Sequence, residues 1–311
     1  MNTPANAMPA SPLDSQTSTP AAMSATRPIY WSVRRELWEH RFIYIAPLVA
    51  AGVVVLGSLI SLPLRLPGVV RGLPMLSAAK QQAALQQHYD IAAGLLMVTQ
   101  LLVGVFYSLD ALHGERRDRS ILFWKSLPVS DRATVLSKAS IPIVVVPLLT
   151  WAITAVTMGI MWLLSAAVLL GSGLSVATLW TRLSLFQMAL MLLYHLVTVH
   201  ALWHAPVYGW LLLVSGWARR AVFLWATLPV LAILAVEKIV FNSSYFASLL
   251  VYRFAGGVEA MGSSMSGNFP NPGMQLTLGR YLTSPGLWIG LIITAAFLAA
   301  AIRLRRYRGP I

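Results

Sequence analysis

The chain has 311 residues, 57% of them apolar and only 11% charged, with a formal charge of +13 and no cysteine. So little polar surface cannot coat a globule, which makes the chain an integral membrane protein. The missing cysteines exclude disulfides, thiolate metal sites and cysteine nucleophiles, and the basic residues cluster at the ends of apolar runs, as membrane topology requires and nucleic-acid binding does not.

The opening stretch "MNTPANAMPASPLDSQTSTPAAMSAT" has neither the basic start nor the apolar centre of a secretion signal. Residues 1–27 are expected to be a disordered tail, followed by one membrane domain over 28–311. In "IYWSVRRELWEHR" the apolar residues Tyr30, Val33 and Leu37 recur at helical spacing, with Arg34 and Arg35 between them. This pattern predicts an N-terminal amphipathic helix lying in the membrane interface.

Six apolar runs then reach the roughly 20 residues that a spanning helix needs: 42–62, 91–109, 141–170, 183–203, 221–241 and 285–303. The third carries Pro142 and Pro147 near its start. After the fourth, "HALWHAPVYGWLLLVSGWARR" stays apolar to Trp217 despite Pro206 and Gly209, so a bent or re-entrant stretch is expected there. Alternating the sides puts most of the 23 Lys and Arg on the side of the N-terminus, so both termini are expected in the cytoplasm. Segments 63–90 and 242–284 are then outer loops. The second contains "AGGVEAMGSSMSGNFPNPGM", whose Gly, Ser, Asn and Pro favour a flexible cover.

The densest charge lies between the second and third spans, in "LDALHGERRDRSILFWKSLPVSDRATVLSKA". It reads as a polar turn, a short apolar helix, a break at Pro128, and a new helix capped by Ser130 with Asp131 in its first turn. An isolated Phe123 and Trp124 would rest among lipid headgroups. Here Ile121, Leu122, Phe123, Trp124 and Leu127 form an apolar anchor ringed by Glu115, Arg116, Arg117, Asp118, Arg119 and Lys125, the pattern of a surface that docks a soluble partner. Glu115 and Asp118 also have the charge to pair with Arg34 or Arg35.

The stretch "SLDALHGERRDRSILFWKSLPVSDRATVLSKA" resembles the loop between the second and third spans of bacterial type-2 ABC exporter permeases, and "ALWHAPVYGWLLLVSGWARRAVFLWATLPV" is similar to a later region of the same family. The likeness covers roughly residues 28–308. It implies an all-α, six-span permease subunit in the bacterial inner membrane that pairs with a second copy or a sister permease. It also implies two cytoplasmic ATPase partners that hold ATP and Mg and drive substrate outward. The loop helix would then be the coupling helix, with the amphipathic helix (Val33, Arg34, Arg35, Leu37) packed beside it. The chain has no G-x-x-x-x-G-K-[ST] motif, so no cofactor and no catalytic residue is assigned to it.

Two rival readings use other residues. His195, His200 and His204 lie close in sequence, and the last two share a helical face, which suits an intramembrane metal or haem enzyme. Gln100, Gln187, His195 and Glu237 are polar groups in the spans, which an ATP-independent carrier requires.

Overall fold

The computed structural model of the protein describes residues 26–126, 129–254 and 278–308. Among the described residues every regular element is helical. In chain order they are α1 (Thr26–Glu39), α2 (Phe42–Gly72), α3 (Ala78–Asp110), α4 (His113–Arg117), α5 (Ser120–Ser126), α6 (Asp131–Ser140) and α7 (Val146–Gly171), followed by α8 (Ala177–Arg182), α9 (Leu185–His195), α10 (Ala205–Trp217), α11 (Val222–Val240), α12 (Tyr245–Phe254), α13 (Leu278–Leu282) and α14 (Pro285–Tyr307). Wider π-helical stretches, Ile141–Val145 and Leu196–Trp203, lead into α7 and out of α9. Six helical runs, at the six predicted places, are long and apolar enough to cross a membrane. The fold is therefore an all-α multi-pass bundle.

The end of the bundle away from α1 differs from the expectation of a loop over 63–90. α2 continues to Gly72 through Pro63 and Pro67, and α3 begins at Ala78. Leu62 and Leu66 of α2, Leu73 in the turn just after it, and Leu85 and Tyr89 of α3 line one side beyond the membrane run. They close on Leu169, Leu179 and Leu183 in one apolar cluster. Burial of that stripe outweighs the ~3 kcal/mol that an interior proline costs a helix.

The fourth run bends without turning back. Within Leu196–Trp203 the backbone widens, and the His204 amide donates to the Val199 carbonyl five residues earlier, at 3.0 Å. Pro206 sits in the first turn of α10, where its missing N–H costs nothing. α10 then runs along α14, with Gly209 facing Thr294 and Phe297 closely enough that a methyl there would touch both at 3.4 Å, an ordinary contact.

Within 242–284 the chain forms two described helices, α12 and α13. Arg253 of α12 donates to the carbonyls of Trp203 and Gly286, each at 3.1 Å, and lies over the Trp203 ring. Of the tail expected at 1–27, Thr26 and Arg27 already belong to α1, and residues 1–25, the Gly- and Ser-rich stretch at 255–274 and Leu127 lie outside the described residues.

Candidate docking site

The end of the bundle that carries α1 is organised by buried charge. Glu36, 1% exposed, sits on the apolar face of α1 with Val33 and Leu37. Its carboxylate accepts hydrogen bonds from Lys138 Nζ at 2.8 Å, Tyr107 Oη at 2.8 Å and Arg35 Nη2 at 2.7 Å. Glu115 of α4 accepts from Arg35 at 3.0 Å and from Arg305 of α14, and lies 3.2 Å from Lys138. Arg305 also pairs with Asp131 at 3.2 Å. The carboxylates of Glu36, Glu115 and Asp131 thus balance Arg35, Lys138 and Arg305, and this hub fastens α1, α3, α4, α6 and α14 to one another.

Burial alone would push the Glu36 carboxyl up, but Lys138, Arg35 and the Tyr107 hydroxyl outweigh it and hold it below the ordinary carboxylate range. Desolvating these ions costs several kcal/mol each, so the hub's main contribution is to fix geometry rather than to add stability.

A second set of bonds ties the same loop to the end of α10. Ser215 Oγ accepts from the backbone amides of Leu112 and His113 at 3.0 and 2.9 Å. Arg116, itself buried, donates to the carbonyls of Gly216 and Ala218 at 2.8 and 3.2 Å. Arg119 then adopts φ 58°, the left-handed turn that ends α4 and lets α5 leave in a new direction.

On α5, Ile121 is buried at 1% and anchors the helix to its own chain, whereas Leu122 and Phe123 are 58% and 60% exposed. Trp124 is half-buried, with the Arg35 guanidinium 3.7 Å above its ring. Between α1, α5 and α6 lies a cleft of ≈ 300 Å³ lined by Trp31, Arg35, Trp124, Val129 and Thr134, among others. The arrangement is a rigid platform that holds two apolar side chains outward beside an aromatic-walled cleft.

The predicted docking residues therefore divide. Leu122, Phe123, Arg117 and Asp118 face out, Arg117 and Asp118 pairing with each other at 3.0 Å. Glu115, Arg116 and Ile121 are turned into the chain's interior and give no rim or anchor to a partner. Their side chains find better partners at home, in the hub, in the α10 carbonyls and in the loop's own apolar base. Of the pairings the charges allowed, Glu115 takes Arg35 while Asp118 takes Arg117. Val33 and Leu37 pack against Ile43, Tyr107 and Ala139, and Arg34 lies outside over the rings of Trp31 and Trp38.

Sequence reasoning missed Glu36, Lys138 and Arg305. A signal existed for all three: Glu36 lies three residues after Val33, Lys138 three after Val135 and Arg305 four after Ala301, so each is a charge on an apolar helical stripe.

The residues of the rival readings are spread elsewhere. Glu237 ends α11 and caps the start of α12, accepting from the Phe246 amide at 3.0 Å and from Ser243 Oγ at 3.0 Å. That is a structural cap. Gln100 is fully buried, and neither amide atom has a partner. His195, His200 and His204 stand in series, with ring centroids 5.4 Å apart at each step. Glu36, Glu39 and His40 bring ligand atoms within 4.8 Å of one another, but the Glu36 oxygens already accept from Lys138, Arg35 and Tyr107. No family model and no curated protein matches the chain.

Proposed function

We propose that this protein is the membrane-spanning, non-catalytic subunit of an exporter whose ATP is bound and hydrolysed by a separate cytoplasmic ATPase of the ATP-binding-cassette type. The observation that carries the reading is the pose of α5. Leu122 and Phe123 project outward from a seven-residue helix that directly follows α4, whose Glu115 is paired with Arg35 of α1, Lys138 of α6 and Arg305 of α14. A push on α5 is passed on through α4 and the Arg35–Trp124 contact to the hub that joins α3, α6 and α14, which is what coupling to a motor requires. Lipid contact alone would call for the aromatics but not for a balanced ionic clamp beneath them.

On this reading the α1 end faces the cytoplasm of a bacterial cell, both termini lie there, and a second permease copy or a sister permease completes the pathway. The test is to purify the full chain, tagged, from its native membranes in mild detergent and identify the co-eluting chains by mass spectrometry. An ATPase bearing G-x-x-x-x-G-K-[ST] in stoichiometric amount is expected. A pure permease that moves solute down an ion gradient unaided overturns the proposal.

A further inference from the structure

At the other end of the bundle a cavity of ≈ 30 Å³ lies between α3, α7 and α9, lined by Gln86, Asp90, Met158, Gln187, Met188 and Met191. Two features separate it from a packing gap. Gln86 is 3% exposed, and its Oε1 has no hydrogen-bond partner. Asp90, one helical turn further along α3, is half-buried and has no ion-pair partner among the described residues. A lone carboxyl in an apolar bundle must either hold a proton or be neutralised by a cation, and Asp90 is therefore free to exchange one for the other.

The other donors narrow the choice of cation. Three thioethers are soft ligands that favour monovalent copper-type ions over hard ones. Calcium and magnesium require six or more oxygen ligands, which Asp90, Gln86 and Gln187 do not supply. A zinc ion would leave one positive charge uncompensated by the single carboxylate. The volume is about that of one water, which admits a bare ion or a water and excludes an organic molecule.

The histidine series begins where this pocket ends. His195 follows Met191 by one turn on the same helix, and the wide π-helical register brings His200 over it and His204 over His200. His195 Nδ1, His200 Nδ1 and His204 Nε2 are buried without partners. The charge acting on the inner end of the series is that of Arg253, which is positive. The imidazoles therefore extend the line of donors inward, and the carboxylate of Asp90 makes the outer pocket the resting place.

We propose that the pocket binds a monovalent soft metal cation, of the Cu(I) or Ag(I) class, between the Asp90 carboxylate and the thioethers of Met158, Met188 and Met191. This is a binding site on the chain itself and stands whether or not an ATPase drives it. The probe is Ag(I), which needs no reductant, equilibrated by dialysis against the full chain in thiol-free detergent and quantified by elemental mass spectrometry. The test variants are Met158→Leu with Met191→Leu, which conserves volume, Met191→Leu alone, and Asp90→Asn.

The wild type is expected to hold one Ag(I) per chain above background. Each variant that elutes as a folded, helical species is expected to bind it on the order of tenfold more weakly. Zn(II) should bind wild type and variants alike. Equal Ag(I) affinity in the wild type, Met191→Leu and Asp90→Asn, or no Ag(I) on the wild type, overturns the proposal.

Discussion

Removing Lys138 is the sharpest perturbation of the hub. Its ammonium is 1% exposed and lies 2.8 Å from Glu36 and 3.2 Å from Glu115, so Lys138→Met strands two buried carboxylates at once. Breaking one partner of a buried pair costs about 3–5 kcal/mol. Arg35 and Tyr107 still serve Glu36, and Arg35 and Arg305 still serve Glu115, so the low end, about 3 kcal/mol, is expected here. At roughly 2–4 °C per kcal/mol for a chain of this size, that is a fall of about 6–12 °C in thermal midpoint. Adding Glu36→Gln removes the stranded charge and keeps the acceptor for Tyr107, so the double variant should recover to within about 1–2 kcal/mol of wild type. The assay is thermal unfolding of detergent-purified protein, followed by loss of the monodisperse peak in size-exclusion chromatography. A single variant as stable as wild type, or a double variant no better than the single, refutes the buried clamp.

Glu36 also sets a pH dependence: its carboxyl titrates lower when folded than when unfolded, so its contribution is complete above the ordinary carboxylate range and is lost as pH falls through the folded value. Wild type should lose thermal stability on acidification more steeply than Glu36→Gln, and parallel curves would contradict the assignment. Gly104→Ala should cost about 1–3 kcal/mol, because the new methyl would sit 2.9 Å from the buried ring of Tyr208; a thermal midpoint equal to wild type would show that α3 and α10 are not in that contact. Arg119→Gly should raise stability by about 1 kcal/mol, since it relieves a side chain held at φ 58°, and a fall in midpoint would mean that the arginine makes a contact outweighing the strain.

The spans were legible because a run of apolar residues long enough to cross a bilayer has few other uses. The helix around residues 30–37 and the Ser130 cap were legible for a similarly local reason: the periodicity and the cap are written within a few residues, and the Ser130 hydroxyl does accept from the Ala133 amide. What failed was nonlocal. Nothing near Glu36 announces Lys138, 102 residues away, and nothing near Glu115 announces Arg305, 190 away. Only the placement of each charge on an apolar stripe hints that a partner exists.

The docking loop was read as one surface because all its apolar residues are adjacent in sequence. A helix of seven residues must split them, so Ile121 went inward while Leu122 and Phe123 went out. The loop expected from residue 63 onward is instead a continuation of α2 through Pro63 and Pro67, because Leu62 and Leu66 have an apolar cluster to join. The π-helical register of Leu196–Trp203, which aligns the histidines, has no signature in residue type.

The most direct test of the central claim replaces Leu122 and Phe123 by alanine in the full chain and measures ATPase co-purification and ATP turnover in nanodiscs. Both side chains are more than half exposed, and the ring contact of Phe123 is with its neighbour Trp124 on the same helix, so insertion and thermal stability should be nearly unchanged. Apolar anchors at a protein interface contribute about 2 kcal/mol or more, so the ATPase should be held roughly thirtyfold more weakly. Full retention of the ATPase with unaltered turnover in this variant would contradict the account.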